Sequence, residues 1–371
     1  MSTVLITGAT GFLGREVARH LLAAEPELRL IALVRARDEA QLARRRARIV
    51  DGLPDEQAGR FEVVRGDLVH PLLGLDSRGY HELVARVDRV VHVAATVAFT
   101  HTLDQARRIN VGGTEQVLAL CRAVRDRGGS GRLDYVGTAY VAGDRQGRAT
   151  EDELEVGQRF RNTYEQSKCE AERHCRDAMA ELPVAIHRPS IIVGDSRTGQ
   201  TSSYKTIYWP MKLIVRFYGL SRPVLPRIVR LPVAPDCRLD IVPVDWVAAA
   251  VVQLFQREDA AGHAFHLAAG DEAATIRALV DAACDHFGVA RLRYLDPEGP
   301  LRRVARAARP LLVRLAPRVV ENGERILEYA IRNPLFDTTH ARAFGLAPPR
   351  IEEYYLRLID FAYTRDFGRA G

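Results

Sequence analysis

The chain has 371 residues, of which 47% are hydrophobic and 27% charged, and its formal net charge is +6. This apolar content excludes a predominantly disordered protein, and the absence of any apolar run near the roughly 18 residues of a membrane span excludes a transmembrane one. Only three of the 53 basic residues are lysine, so the charge reflects an arginine-rich composition. Without a recognition motif, that charge is weak support for nucleic-acid binding, and no nucleic-acid partner is expected.

The five cysteines are odd in number and form no C-x-x-C pair, which argues against a disulfide framework and against a zinc site. They are Cys121, Cys169, Cys175, Cys237 and Cys284. The N-terminal residues have the pattern of a strand rather than of a secretory signal. We therefore expect no bound metal and a reduced, cytoplasmic setting.

Short apolar, β-branched runs alternate with helical patterns through the first half of the chain. The predicted strands are Thr3–Thr7, Leu28–Val34, Phe61–Arg65, Arg89–Ala94, Arg132–Thr138 and Val184–Arg188. The predicted helices lie near 13–24, 38–50, 79–86, 104–126 and 163–181. This alternation predicts right-handed βαβ crossovers and an α/β fold with a doubly wound parallel (Rossmann) sheet, whose ligand site lies at the carboxyl ends of the strands.

The first predicted strand leads directly into a glycine-rich turn, Thr7-Gly8-Ala9-Thr10-Gly11-Phe12-Leu13-Gly14, which opens a helix. Glycine is needed where the backbone turns sharply, approaches a pyrophosphate and packs a helix on the sheet, and the helix N-terminus offers free N–H groups to phosphate. The spacing is G-x-x-G-x-x-G rather than G-x-G-x-x-G. A turn that binds nothing is the alternative, but its place after the first strand favours a dinucleotide phosphate site.

The end of the second predicted strand distinguishes the two nicotinamide cofactors. An acidic residue there binds the ribose 2′-hydroxyl of NADH, whereas an arginine suits the 2′-phosphate of NADPH. Arg35 and Arg37 follow this strand directly, and Arg44, Arg45 and Arg46 lie in the helix after it. The pattern favours NADPH over NADH, and solvent-facing arginines of an arginine-rich protein are the alternative.

Tyr164 and Lys168 lie four residues apart, which places a phenol and an ammonium on one face of a helix. Free tyrosine titrates at about pH 10, and a nearby ammonium favours its ionised form, so the pair can exchange a proton with a substrate oxygen nearer neutral pH. Tyr208 and Lys212 repeat this spacing. Pro210 between them would disturb a helix, which favours a chance match there.

Two more side chains are candidates for the same site. Thr138 ends the predicted strand 132–138, where its hydroxyl would face a nicotinamide and a substrate carbonyl. The alternative is a strand-end hydroxyl bonded to the backbone. Asn110 lies within the predicted helix 104–126, where a buried amide can hold a water for proton relay.

The alternating pattern breaks after Gly194. Residues 199–237 lack a βαβ period, a return strand and helix are predicted at 240–256 with a further strand at 264–268, and the remainder from 275 is mainly helical. We therefore expect an NADP(H)-binding Rossmann domain over 1–198, with return elements at about 238–270. A smaller, mainly helical C-terminal substrate cap would comprise 199–237 and 271–371.

Nine stretches of this sequence resemble the extended short-chain dehydrogenase/reductase family. They are TGATGFLG at 7–14, LVRA at 33–36, GDL at 66–68, VVHVAA at 90–95, NVGGTEQVL at 110–118, YVGTAYVAG at 135–143, YEQSK at 164–168, HRPSIIVGDSRTG at 187–199 and LDIVPVDWV at 239–247. Within that family the chain is most similar to the thioester-reductase and fatty-acyl-CoA-reductase-like branch. The resemblance implies a catalytic triad of Thr138, Tyr164 and Lys168 assisted by Asn110, with threonine in place of the serine common in the wider family.

Together, the turn, the arginines and the resemblance imply a set of cofactor-binding residues. They are Gly8, Thr10, Gly11, Phe12, Leu13, Gly14, Arg35, Arg45, Asp67, Leu68, Ala94, Ala95, Lys168, Arg188, Pro189 and Ser190. In this scheme residues 67–68 contact the adenine, residues 94–95 line the nicotinamide ribose, and residues 188–190 close over the nicotinamide.

The activity implied by the resemblance is NADPH-dependent reduction of acyl thioesters, on coenzyme A or a carrier protein, to an aldehyde or further to an alcohol. The apolar segment 204–220, with Lys205, Lys212 and Arg216 in it, suits a long acyl chain on a phosphate-bearing carrier. The alternative is that this segment forms the hydrophobic core of the cap itself. Because these residues include no adenylation or carrier domain, we expect a substrate supplied in trans.

Other enzymes could use the same machinery. The alternatives are a hydroxysteroid- or ketone-type dehydrogenase/isomerase and a sugar-nucleotide epimerase/dehydratase. An epimerase would more often use NAD and a polar cap, which Arg35 and the apolar segment disfavour.

A lipid-binding function is a further alternative, from another class of protein. The stretch 301–315 has apolar and arginine faces at helical spacing, which suits a helix lying on an anionic membrane. Pro310 interrupts the pattern, and a cap helix with a solvated basic face is favoured over membrane contact.

Overall fold

The structure is a computed structural model, and it describes residues 2–98, 100–204, 208, 211–212, 230–231, 233–296, 299 and 328–368. The basic helix expected at 301–315 lies outside the described residues. Of the apolar segment 204–220, only residues 204, 208, 211 and 212 are described.

Seven parallel strands form the central sheet. They are β1 (Thr3–Thr7), β2 (Arg29–Val34), β3 (Phe61–Arg65), β4 (Arg89–His92), β5 (Arg132–Val136), β6 (Val184–Pro189) and β7 (Ala264–Leu267). Their order across the sheet is β7-β6-β5-β4-β1-β2-β3. The chain runs outwards from β1 to β3 and then returns to β4 on the other side of β1, so the topological switch point lies between β1 and β4, where such sheets bind ligands. The expected doubly wound α/β fold is confirmed.

Helices connect and flank these strands. Their bounds are α1 (Phe12–Ala24), α2 (Glu39–Val50), α3 (Asp55–Gly59), α4 (Ser77–Arg86), α5 (Leu103–Asp126), α6 (Thr163–Ala178), α7 (Val244–Phe255), α8 (Ile276–His286), α9 (Thr339–Ala343) and α10 (Tyr355–Thr364). Helices α1 and α7 pack together on one face of the sheet, while α5 and α6 pack together on the other. None of the helices within the described ranges is long and apolar enough to cross a membrane.

Both faces of the sheet are covered, and its strands are correspondingly apolar. In β1, the residues Val4, Leu5 and Ile6 are each 0% exposed. Val4 and Ile6 pack into the core beneath α1 and α7, whereas Leu5 packs into the core beneath α4 and α5. A strand buried on both sides gains from β-branched and aliphatic residues at successive positions, which is why these runs are continuous rather than alternating.

Short strand pairs lie beyond the sheet. A separate hydrophobic core also lies there, and we call it the second core to distinguish it from the cores on the two faces of the sheet. Residues 241–243, within the expected return strand, pair in parallel with Ile191–Val193 outside the central sheet. Tyr208 and Met211 are buried in a core that also includes residues of α8 and α10. These two residues of the apolar segment therefore pack inside the protein, as in the alternative that assigned the segment to the cap's own core.

The described residues of the C-terminal third pack into several cores rather than into one separate unit. Helices α8 and α10 belong to the second core, whereas Ala341 in α9 and Leu346 pack into the core of the central sheet. The strand Leu335–Phe336 pairs in parallel with Arg148–Ala149. Residues 335–346, expected in the cap, are thus packed against the Rossmann part of the chain.

Candidate active site

The glycine turn lies between β1 and α1, at the switch point of the sheet. Gly8 has a φ of +78°, which favours glycine, and a Cβ atom on it would lie 2.6 Å from the Ala94 nitrogen. A Cβ atom on Gly14 would lie 2.2 Å from the Gly8 oxygen. Gly11 precedes α1 and provides no side-chain cap, so the N–H groups of the first helical turn are left for a ligand. This cradle fits a pyrophosphate.

The side chains of the turn face different surroundings. Thr10 is exposed beside the cradle, and Phe12 is half-buried. Leu13 is 8% exposed and packs into the core of the sheet, so its side chain anchors α1 and only its backbone faces the turn. Ala94 and Ala95 are half-buried in the loop after β4, opposite Gly8.

An open cavity of about 550 Å³ lies at the carboxyl ends of β2 and β3. It is lined by Arg35, Ala36, Arg37, Gln41, Arg45, Arg65, Gly66, Asp67, His70 and Gly74. Four arginines face one aspartate in this lining, so the cavity favours an anion. Its volume and charge fit the phosphorylated adenosine half of a dinucleotide.

The predicted Arg35 and Arg45 both line this cavity, whereas their neighbour Arg46 does not. The Arg46 guanidinium donates hydrogen bonds to the backbone oxygens of Ala58 and Phe61, so it fastens α2 to β3. Arg35 and Arg45 have no such partner among the residues that the structure describes, which leaves their donors for a phosphate.

Arg65 and His70 also line the cavity, and the sequence analysis missed them. Arg65 ends β3, which pairs with β2 so that Val34 lies beside it. The carboxyl ends of neighbouring parallel strands meet at one edge of the sheet, so a basic residue closing β3 was a signal that could have identified Arg65.

Asp67 and Leu68, the predicted adenine contacts, differ in exposure to this cavity. Asp67 lines it, and its backbone N–H donates to the Leu73 oxygen over 2.7 Å. Leu68 packs against α5, since a Cβ atom on Gly113 would lie 3.3 Å from the Leu68 Cβ atom.

Thr138 and Tyr164 lie together at the carboxyl edge of the sheet. Thr138 follows β5 and caps the short helical turn Ala139–Ala142, and its hydroxyl accepts a hydrogen bond from the Tyr140 N–H over 3.3 Å. The same hydroxyl lies close enough to the Tyr164 side chain to work against an increase in the tyrosine pKa. Burial is the larger influence and raises the pKa of Tyr164 to about 12, so the phenol carries its proton at neutral pH.

Lys168 lies one helical turn beyond Tyr164 and is 1% exposed. Its ammonium donates to the Val136 oxygen over 2.9 Å and lies 4.2 Å from the centre of the Tyr135 ring. Burial lowers the pKa of Lys168 to about 8, while the nearby Cys175 and Glu172 oppose that change. From the sequence we expected this lysine to lower the pKa of Tyr164. In the structure burial has the larger influence, and it raises that pKa.

Asn110 is 1% exposed, and protein groups occupy both ends of its amide. Its side-chain oxygen accepts from the Thr96 N–H over 2.8 Å, and its side-chain nitrogen donates to the Thr96 backbone oxygen over 3.2 Å and to the Ser167 hydroxyl over 2.9 Å. Ser167 in turn donates to the Tyr164 backbone oxygen over 3.1 Å. The Asn110 side chain thus bridges the loop after β4 and the helix that carries Tyr164, while its expected role in holding a water stays a prediction.

A buried histidine extends this network to the glycine turn. His92 contacts the Thr7 hydroxyl through Nδ1 at 2.6 Å and the Thr114 hydroxyl through Nε2 at 3.2 Å. Thr114 donates to the Asn110 backbone oxygen over 2.7 Å, so Nε2 of His92 must donate and Nδ1 must accept. Burial, with the charge on Lys168, lowers the pKa of His92 to about 3 and keeps the ring neutral.

The segment Arg188-Pro189-Ser190 differs from its expected role over the nicotinamide. The Arg188 guanidinium is 1% exposed and forms a buried ion pair with Glu172 over 2.5 Å. It also donates to the backbone oxygens of residues 151 and 153. Ser190 is 6% exposed and lies beside the Asp240 carboxylate. The Arg188 side chain thus holds the fold together, and of this segment the Pro189 oxygen contacts the site, through the Thr138 hydroxyl at 3.4 Å.

The second tyrosine–lysine repeat does not form a comparable pair. The Tyr208 hydroxyl accepts from the Gly194 N–H over 3.0 Å, and the Lys212 ammonium donates to the Asp366 oxygen over 3.1 Å. Each of these two side chains anchors a different backbone segment, in agreement with a chance match.

The chain matches a family model and several known proteins. Residues 6–251 match the family model described as male sterility protein. The chain is 31% identical over 274 residues to a linear gramicidin synthase of Brevibacillus parabrevis, covering 71% of this chain and 5% of that protein. It is 32% identical over 267 residues to the L-2-aminoadipate reductase of Penicillium chrysogenum, covering 67% of this chain and 18% of that protein. The chain thus spans less than a fifth of the length of these two relatives.

Solved structures agree with this assignment. The terminal R domain from the myxalamid PKS-NRPS biosynthetic pathway superposes with a TM-score of 0.80 at 28% identity, over 100% of this chain and 92% of that one. A UDP-glucuronic acid 4-epimerase from Bacillus cereus has a TM-score of 0.64 at 16% identity, over 98% of each chain, and shares the fold alone. The chain therefore belongs to the NAD(P)-binding family described as male sterility protein, within the extended short-chain dehydrogenases/reductases.

Proposed function

We propose that this protein uses NADPH to reduce acyl thioesters, carried on coenzyme A or on a carrier protein, to aldehydes. The observation that carries the proposal is the proximity of the Thr138 hydroxyl to the Tyr164 side chain, with Lys168 one turn further along the same helix. These three side chains lie at the edge of the sheet where the glycine cradle opens. The likeness to an R domain and to an aminoadipate reductase supports a thioester rather than a sugar nucleotide as substrate.

The choice of NADPH is supported by the basic cavity. Arg35 directly follows β2, Arg65 ends the neighbouring β3, and Arg45 lies in α2, so three parts of the fold supply positive charge to one anion. Arginine recognises phosphate through several donors in a fixed plane, which suits a 2′-phosphate. When bound, the nicotinamide supplies the hydride.

In the reduction, Tyr164 and Thr138 stabilise the charge that develops on the carbonyl oxygen. The carbonyl carbon gains the hydride, and its oxygen takes a proton from Tyr164, whose high pKa keeps it protonated beforehand. The hemithioacetal then loses its carbon–sulfur bond, its hydroxyl proton returns to Tyr164, and the thiolate leaves and takes a proton from water. One thioester, one NADPH and one proton thus give one aldehyde, one thiol and NADP⁺. A second hydride transfer to the aldehyde would give the alcohol.

Lys168 contributes charge and position. Its ammonium, held by the Val136 oxygen and the Tyr135 ring, would bind the ribose hydroxyls of the cofactor and stabilise the tyrosinate formed in the first step. At pH 7 it is mostly charged, because its pKa is about 8.

Asn110, through Ser167, and the glycine cradle fix the positions of these groups. We propose that residues 199–237 and part of 271–371 select the acyl chain as a cap over the Rossmann part. All five cysteines are free, which supports a reducing, cytoplasmic setting.

Purified protein mixed with NADPH and a panel of acyl-CoAs, acyl carrier thioesters, ketones and nucleotide sugars tests the proposal. We expect NADPH oxidation, free thiol and aldehyde in equal amounts with a thioester. Oxidation of NADPH with ketones alone, or with no thioester in the panel, would overturn it.

A further inference from the structure

A C-terminal segment far from the triad in sequence binds the start of the catalytic helix. The Tyr329 hydroxyl donates to Oε1 of Glu165 over 2.7 Å, and it accepts from Nδ2 of Asn162 over 2.9 Å. Glu165 directly follows Tyr164 and is 0% exposed, and Asn162 caps α6. One hydroxyl therefore joins both ends of the first turn of this helix.

The Glu165 carboxylate has two further donors, both from Arg161. The Arg161 N–H donates to Oε2 over 2.9 Å, and its guanidinium reaches Oε1 over 3.4 Å. The guanidinium also lies 5.1 Å from the centre of the Tyr329 ring and donates to the Arg332 oxygen over 2.8 Å. Burial raises the pKa of Glu165, and these donors work against that increase.

Tyr329 also touches the element that carries the other catalytic hydroxyl. Its ring packs edge-on against Tyr140, with the two ring centres 5.0 Å apart. The Tyr140 N–H donates to the Thr138 hydroxyl over 3.3 Å, within the turn that Thr138 caps. Thr138 and Tyr164 thus belong to two separate elements, and Tyr329 contacts a neighbouring residue in each element.

We infer that Tyr329 is a positioning residue, which sets the distance between Thr138 and Tyr164 by holding the first turn of α6 and the turn 139–142 together. This inference rests on the proposed function for its catalytic consequence. Its structural part, the coupling of these two turns by the hydroxyl and the ring of one tyrosine, is independent of the substrate.

Removal of that hydroxyl leaves the buried Glu165 without its shortest donor, so the first turn of α6 must shift or loosen. Catalytic groups that must approach a reacting atom closely lose rate steeply when displaced, and we expect roughly a tenfold lower kcat. The KM for NADPH should change less than kcat, because the cavity at Arg35 and Arg65 is built from other elements and only Lys168 of the proposed cofactor contacts lies on this helix.

The test compares Tyr329→Phe with Tyr354→Phe. Tyr354 is 1% exposed, and its hydroxyl donates to the Ile241 oxygen over 3.2 Å in the second core, so this control loses a comparable buried hydrogen bond. Amide hydrogen exchange is measured over residues 139–142 and 162–168, together with kcat and the KM for NADPH.

We expect faster exchange in both turns and a lower kcat for Tyr329→Phe, and neither change for Tyr354→Phe. Unchanged exchange in Tyr329→Phe, or the same changes in both variants, would overturn the inference. Faster exchange with an unchanged kcat would overturn the positioning role. A wild-type protein that reduces no thioester would overturn the proposed function, while the exchange data would still decide whether Tyr329 couples the two turns.

A double-mutant cycle with Glu165→Gln supplies the second arm. If Tyr329 acts through Glu165, the double variant should lose little more activity than either single variant. Independent, additive losses would show that the two side chains act separately, and would overturn the inference.

Discussion

The Lys168 ammonium lies 4.2 Å from the centre of the Tyr135 ring, and the two side chains are 1% and 0% exposed. An aromatic face attracts a desolvated cation with about 0.5–2 kcal/mol. The ring therefore favours the charged form of a lysine whose pKa burial has lowered to about 8. His92 stays neutral nearby, so it adds no like charge.

The rate of reduction should accordingly fall as the pH rises through about 8, because Lys168 loses its proton there. Tyr135→Leu removes the ring and should move this alkaline limb of the kcat profile to lower pH by about half a unit to one unit. Tyr135→Phe keeps the ring and should leave the limb in place. A limb that moves equally in both variants would contradict the account.

Preference for NADPH should depend on the basic cavity. Loss of a charge-assisted hydrogen bond to phosphate costs about 1.5–3 kcal/mol, so Arg35→Ala and Arg65→Ala should each lower the ratio of NADPH to NADH efficiency by about tenfold to a hundredfold. Arg48→Ala, an exposed arginine of α2 outside the cavity lining, is the control. Steady-state kinetics with both cofactors check this, and an unchanged ratio in Arg35→Ala would refute the assignment.

The sheet strands and the glycine cradle could be predicted because they depend on local pattern. Apolar runs separated by helical patterns identified all seven strands of the sheet to within a few residues, and Gly8 needs its positive φ whatever surrounds it. Arg65 was missed in the sequence analysis because its place beside Arg35 in the cavity depends on the strand order, which brings β3 beside β2.

Side-chain direction and distant contacts were harder to predict. Arg188 lies next to the last residue of β6, near the site, but its side chain points to Glu172 rather than to the cofactor edge. Its position near a strand end indicated that the residue lies close to the site. It did not indicate the face of the sheet on which the guanidinium lies. The contact between Tyr329 and Glu165 joins residues 164 positions apart, which no local pattern reveals.

The cradle should not tolerate a side chain at Gly14. Gly14→Ala would place a Cβ atom 2.2 Å from the Gly8 oxygen, which is backbone and cannot turn aside. We expect destabilisation of about 1–3 kcal/mol and weaker NADPH binding. Gly59→Ala, whose Cβ atom would meet nothing within 4 Å, should leave both unchanged. Denaturant unfolding and NADPH titration measure the two effects, and equal behaviour of the two variants would argue against a close-packed cradle.

The buried pair of Arg188 and Glu172 should matter for stability rather than for cofactor binding. Arg188→Met removes the buried partner of the Glu172 carboxylate and leaves Arg176, at 3.0 Å, as its remaining cation, so we expect a cost of at most about 3–5 kcal/mol. Arg197→Met, at a side chain 77% exposed, should change the free energy of unfolding little. If Arg188→Met weakened NADPH binding in the folded protein without loss of stability, the original expectation of a cofactor contact would be restored.

Transfer of deuterium to an acyl thioester from NADPH that carries deuterium at both C4 positions of the nicotinamide tests the central claim most directly. We predict an aldehyde that carries one deuterium on the carbon that was the thioester carbonyl, formed with one equivalent each of thiol and NADP⁺. Tyr164→Phe should lower this rate by about a hundredfold or more, since the variant lacks the proton donor. An unlabelled product, or a Tyr164→Phe rate equal to that of the wild type, would contradict the account.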